Sequence, residues 1–220
     1  IQDIKHRLEE ISINTNLTAD IDLSMFYSPE TLSEILSLKK YFLYRERENS
    51  LDAVDKWIRM TATNRLTGHS SGYFSVYTLP PNQAVSPERQ LKINEKYNQK
   101  PDYRNTKELI YKKSKSLMKD LTFKQIENIN KISSRCLTRY ADKTKEINDE
   151  SIDLTVTSPP FLDVVQYAQD NWLRCWFNGI DAIEIQKKIT MSKTVGNWSK
   201  EMSEVFKELH RITKKRGWVV

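Results

Sequence analysis

Apolar residues recur at helical spacing through most of the first 132 positions. In Gln2–Ile13 they fall at Ile4, Leu8 and Ile11, one stripe of a helix. Ser28-Pro29-Glu30 predicts a helix start: a hydroxyl cap, a proline at the first helical position and an acid near the positive end of the dipole. That helix is expected to run to about Glu46. Val54, Trp57, Ile58 and Ala62 form one stripe of the next, over Leu51–Leu66. Ser86-Pro87-Glu88 repeats the cap pattern, Asn105 or Thr106 caps a helix to about Lys119, and Thr122–Ile132 reads as helical. Thr67–Asn82 breaks the rhythm with Gly68, Gly72, three aromatics and Pro80-Pro81. It predicts an ordered loop with a short strand at Tyr73–Tyr77.

From Ser133 the texture changes to alternating strand and helix. Arg135–Tyr140 is expected as a strand, and Ile152–Val156 as one buried on both faces. Asp163–Phe177 reads as a helix with Val164, Tyr167, Leu173 and Trp176 inward, ended by Gly179. In Ser199–Thr213 the residues Met202, Val205, Phe206, Leu209 and Ile212 share a stripe, and Gly217–Val220 opens another strand. This order predicts an α/β class with a parallel sheet in region 133–220, after a mainly helical region 1–132.

Charge modifies that picture locally. Between Pro87 and Lys124 stand eleven basic and five acidic residues, an excess equal to the net charge of +6. Lys112, Lys113, Lys115 and Lys119 concentrate it on one predicted helix, which suits a polyanion such as nucleic acid. A solvated lysine-rich surface gives the same pattern. Cys136 and Cys175 stand far apart, so neither a disulfide framework nor a zinc site is expected, and a reducing cytoplasm fits. No apolar run of membrane-spanning length occurs. The first residue is not Met and the last four read as part of a strand; the expectation is a fragment of a longer protein.

The chemistry concentrates at Thr157-Ser158-Pro159-Pro160-Phe161. Two prolines remove donors and stiffen the backbone at the end of a strand, leaving carbonyl acceptors beside a hydroxyl and a ring. In open α/β sheets, sites lie beyond the carboxyl ends of strands. The segment resembles the Ser/Asp/Asn-Pro-Pro-Tyr/Phe motif of S-adenosylmethionine-dependent DNA amino-methyltransferases, and its serine is similar to the cytosine-N4 branch. Val164–Phe177 and Arg211–Val219 are similar to the helix and the helix–Lys-x-Gly–strand stretch that accompany the motif. The resemblance spans about Tyr140–Val220 and is looser upstream, at Asn64–His69 and Phe74–Asn82.

The resemblance implies a partial Rossmann-like catalytic domain and methyl transfer from S-adenosylmethionine to the exocyclic N4 of cytosine. Ser158 Oγ and the Pro159 carbonyl would accept the amine hydrogens, with Pro160 stiffening the turn. Phe161 would stack on a base flipped out of double-stranded DNA. Asp142 and Thr157 would border the cofactor; Asp142 is equally readable as a helix cap or surface acid. A cognate restriction endonuclease would be a partner. The alternatives are adenine-N6 methylation and a non-catalytic nucleic-acid-binding domain. His6 and His69 read as solvated or structural, and Trp172 with Trp176 as core packing. A glycine-rich turn for the cofactor is missing: Gly68, Gly72, Gly179, Gly196 and Gly217 lack its spacing. The chain alone is therefore expected to bind the cofactor weakly or not at all and to be inactive.

Overall fold

The computed structural model describes residues 1–80, 84–160, 167–189 and 192–220. The expected residues Phe161, Asp163 and Val164 lie outside them. The chain forms two compact units, Ile1–Thr122 with Tyr167–Lys187, and Phe123–Gln166 with Lys188–Val220. The expected boundary was at 132/133, with 133–220 as one region. Here 123–132 joins the second unit and 167–187 the first. The described residues are of mixed α/β type, with helices predominating and a two-stranded parallel sheet.

The first unit begins with α1 (Gln2–Glu10), α2 (Pro29–Arg47) and α3 (Ala53–Thr63), followed by α4 (Pro87–Lys96) and α5 (Thr106–Met118). Local chemistry sets the starts. Ser28 Oγ accepts from the Thr31 amide at 3.3 Å, Ser86 Oγ from Arg89 at 3.3 Å and Asn105 Oδ1 from Glu108 at 3.0 Å. Asp52 and Asp55 make a reciprocal capping box on α3. Ile4, Leu8, Leu38, Phe42, Ile58 and Ile110 join one buried core across these helices. Two buried carboxylates tie the helices together. Asp55 meets Arg7, Arg45 Nε at 2.6 Å and the Tyr41 hydroxyl at 3.0 Å. Glu34 accepts from the Tyr103 hydroxyl and from the Thr106 amide and hydroxyl, each at 2.7 Å, closing the first turn of α5.

The loop 67–80 contains an isolated bridge between Gly68 and Tyr77 rather than the expected strand at Tyr73–Tyr77. A side chain at Gly68 would meet the Tyr73 ring at 2.4 Å, so the glycine there permits a close approach. Arg65 lies 4.0 Å from the centre of the same ring, and Arg104 donates to the Ser70 and Tyr73 carbonyls. The loop's order comes from these contacts and from Phe74 and Val76 in the interior.

After the second unit's α6 (Phe123–Asn130) and β1 (Ile152–Thr155), the chain returns to the first unit as α7 (Tyr167–Phe177) and α8 (Ala182–Gln186). Leu173 and Phe177 enter the core. Trp172 donates to the Ala84 carbonyl and Trp176 to Asp20, so both indoles serve packing with a satisfied polar end. Gly179 ends α7 at φ +66°, where a side chain would also strike Leu43.

In the second unit α9 (Val195–Ile212) runs into β2 (Thr213–Val219), which pairs in parallel with β1. The strand expected at Arg135–Tyr140 is irregular chain: no ladder partner takes its backbone among the described residues. The expectation that Ile152–Val156 is buried on both faces also fails, with Leu154 57% and Val156 75% exposed. Burial of a parallel strand requires covering layers. Arg211 supplies order instead, donating to the Thr144 and Ile147 carbonyls and pairing with Asp149 and Glu208. Among the described residues no helix is long and apolar enough to cross a membrane.

Candidate active site

The second unit holds a cavity of about 850 Å³ at the carboxyl end of β1. Among the described residues three pieces of chain line it: Tyr140–Lys143, Thr157–Pro160 and one side of α9 from Asn197 to Leu209. The parallel ladder positions the middle piece. The Val220 amide donates to the Thr155 carbonyl at 2.9 Å, and the Thr157 amide donates to the Val220 carbonyl at 2.8 Å. Ser158 therefore leaves the ladder directly after its last backbone bond. Thr157, Ser158 and Pro159 are exposed, and Pro160 is half-buried.

Trp198, in the first turn of α9, donates its indole N–H to the Pro160 carbonyl at 2.9 Å. Prolines leave this segment with acceptors and few donors, so an external donor is the natural means of fixing it. Thr194 caps α9, accepting from the Asn197 amide at 3.2 Å, and so sets where Trp198 begins its turn. The sequence reading missed Trp198. Its only signal was an indole near a helix start, which ordinary packing explains equally well.

Asp142 reaches the same cavity, half-buried, but from a turn and not from the end of a strand. Its neighbour Thr144 anchors that turn, donating through both amide and hydroxyl to Glu208 Oε1 at 2.8 and 2.7 Å. Arg211 and these Thr144 bonds hold the Glu208 carboxyl well below the usual range. The irregular segment is thus tied to α9 electrostatically.

Tyr140 and Phe206 also border the cavity, 61% and 51% exposed. The sequence pattern assigned Phe206 to a core stripe and gave Tyr140 no role. Both present ring surface in a site where a planar ligand would need it. The described lining residues carry the carboxylates of Asp142, Glu201 and Glu204 and the ammonium groups of Lys143 and Lys200. Glu201 is engaged by the buried Ser192 hydroxyl, and Lys207 at 2.6 Å lowers the Glu204 pKa.

Four expected site residues on the motif and Asp142 thus share one cavity; Phe161, expected beside them, lies outside the described residues. Lys112, Lys113, Lys115 and Lys119 belong to the first unit, along α5 and its cap. Lys112, Lys115 and Lys119 are exposed at one-turn spacing, while Lys113 is half-buried. Lys115 lies 5.6 Å from the centre of the Tyr111 ring, and Lys119 is 3.8 Å from Asp120.

The lining does not make a complete cradle for S-adenosylmethionine. None of its described residues is glycine. Gly196, adjacent in sequence to a lining residue, has no heavy atom within 4 Å of where a side chain would begin. Gly217 is needed for a different purpose, since a side chain there would meet the Ile152 carbonyl oxygen at 2.8 Å. No close backbone approach of the kind a cofactor demands is built from these residues. Nor do three or more His, Cys, Asp or Glu gather as metal ligands among the described residues. No family model matches the chain, and comparisons with curated proteins and with solved structures return no match.

Proposed function

We propose that the second unit forms the base-side part of a DNA amino-methyltransferase site, with the exocyclic N4 of cytosine as acceptor. The observation that carries this reading is the convergence of Thr157, Ser158, Pro159, Pro160 and Asp142 on one cavity at a parallel-strand carboxyl end. Asp142, expected at the cofactor side, and the motif, expected at the base side, stand fifteen or more positions apart and need not have met.

A cytosine amine is conjugated with its ring and is a poor nucleophile. In this reading Ser158 Oγ and the Pro159 carbonyl accept its two hydrogens and orient the nitrogen lone pair. Positioning and preorganised dipoles then lower the barrier without a strong base. Trp198 holds the Pro160 carbonyl and so the turn that presents both acceptors. A ring at Tyr140 or Phe206 supports a planar ligand. S-adenosylmethionine would supply the methyl group, and its glycine-rich cradle would have to come from outside the residues of this chain. A Rossmann-like sheet belongs to the same proposal, of which the β1–β2 pair would be one part. Adenine-N6 methylation uses the same acceptor logic and differs in the shape of the pocket.

The test is mass spectrometry of nucleosides from cells carrying the full-length gene, its Ser158→Ala form, or neither. N4-methylcytosine that appears with the gene and falls at least a hundred-fold with Ser158→Ala is the expected result. Methylation unaffected by the substitution, or no methylated base in any sample, refutes the proposal.

A further inference from the structure

A second basic feature lies wholly in the first unit, apart from α5 in sequence. A shallow hollow of about 450 Å³ follows the C-terminal half of α2, with Leu17, Leu36 and Leu43 as an apolar floor. Lys39, Lys40 and Arg47 border it; among the described lining residues Asp20 is the one acid, and Arg47 also pairs with Glu48 beside the hollow at 3.3 Å, both of that pair being solvent-exposed. Asp20 is already engaged, since its Oδ1 accepts from the Trp176 indole at 2.7 Å. Burial and this indole act on Lys39 as well. Its ammonium sits 3.9 Å from the centre of the Trp176 ring, and desolvation lowers its pKa. Lys39 is thus a held cation, not a freely solvated one.

Tyr44 stands on the rim, 56% exposed, with the Arg47 guanidinium 5.5 Å from its ring centre. Lys40 and Tyr44 also border a neighbouring hollow of about 390 Å³, so the two depressions meet along one ridge of α2. Cations along a shallow track with an exposed aromatic at its middle suit a ligand that repeats anion and planar ring. A backbone of phosphates meets the cations, and an unstacked base meets the ring. A rigid duplex keeps its bases stacked inside and offers no ring face to Tyr44.

We propose that this ridge of α2 is a binding track for single-stranded nucleic acid, with Lys40 and Arg47 on phosphates and a base stacked on Tyr44. The proposal does not depend on the reading of the second unit, since it concerns binding alone.

The experiment is fluorescence anisotropy of a labelled twelve-nucleotide single strand against the full chain across a salt series. Lys40→Gln/Arg47→Gln is expected to weaken binding about ten-fold at low salt and to reduce the slope of log K on log salt by roughly one to two. Tyr44→Ala is expected to weaken binding about ten-fold while leaving that slope unchanged, because stacking carries no counterion release. All three side chains are exposed, so both variants should retain the wild-type unfolding temperature and a loss of binding would not reflect misfolding. Wild-type affinity in Tyr44→Ala overturns the proposal, as does inorganic polyphosphate binding as tightly as the strand, since neither involves a base. An unchanged salt slope in the double variant overturns it equally.

Discussion

Replacing Asp55 by alanine should destabilise the first unit more than any exposed change in it. The Asp55 side chain is 0% exposed and faces Arg7 and Arg45, themselves only 20% and 27% exposed. It also accepts from the Tyr41 hydroxyl and from the Asp52 amide, the latter at 3.3 Å in the capping box. Truncation leaves two guanidinium groups and a phenol facing an emptied site. Breaking a buried pair by removing one partner costs about 3–5 kcal/mol. Water reaches both arginines in part, and Arg7 keeps Asp52 at 2.8 Å. The lower end, about 3 kcal/mol, is therefore expected, or a fall in Tm of about 10 °C for a unit of this size. Thermal unfolding of the full chain gives the total, and hydrogen exchange of amides in α1 and α3 assigns it. Asp55→Asn, which keeps an acceptor and loses the charge, should fall between wild type and alanine. A loss below about 1 kcal/mol in Asp55→Ala would mean that water replaces the carboxylate, and would refute the argument from burial.

Four further outcomes follow from named contacts. Ser158→Ala should leave DNA affinity within about two-fold while methyl transfer by the full-length protein falls at least a hundred-fold, about 2.7 kcal/mol of lost positioning. Equal losses in both would remove the catalytic role. Trp198→Phe keeps a ring but deletes the donor to Pro160; kcat should fall roughly ten-fold with KM nearly constant, and a change confined to Tm would make Trp198 structural only. Lys112→Gln/Lys115→Gln/Lys119→Gln should weaken duplex DNA binding and lower the salt slope by roughly two to three, whereas an unchanged slope returns these lysines to a solvated face. For pH, Arg7 and the Asp55 amide depress the Asp52 carboxyl from 3.8 to about 2. A depressed folded pKa stabilises above 3.8 and its contribution is lost as pH falls toward 2, so Asp52→Asn should flatten acid destabilisation in that window, measured by denaturant titration.

Local chemistry was legible in the sequence where the structure uses it locally. Ser28 and Ser86 cap the helices expected of them, and Asn105, one of the two residues expected there, caps the third, because a cap needs only its own next three residues. Burial was less legible, because it depends on what else arrives. The β-branched run Ile152–Val156 has the composition of a covered strand, yet Leu154 and Val156 are exposed. The carboxylates of Asp55 and Glu34 look like surface acids until partners 48 and 72 positions away are brought to them. Division of the chain was hidden for the same reason. Leu173 and Phe177 are ordinary helix residues in sequence, and only the core they join assigns them to the first unit.

The site illustrates both sides of this difference. Ser158-Pro159-Pro160 announces itself because proline restricts its own backbone and deletes its own donor, facts that need no fold. Asp142 was expected near it on the assumption of a strand at Arg135–Tyr140, and it reaches the cavity without one. The substitute is a set of long-range bonds: Thr144 to Glu208, and Arg211 to the Thr144 and Ile147 carbonyls. A strand would have fixed Asp142 through backbone bonds that side-chain changes leave intact. Here its position rests on Glu208 and Arg211, so Glu208→Gln should loosen the Tyr140–Lys143 segment while sparing the β1–β2 ladder. Hydrogen exchange distinguishes the two: faster exchange confined to 140–149 is expected, and equal acceleration in Ile152–Thr155 would show that the ladder, not the ionic tie, holds Asp142 in the cavity.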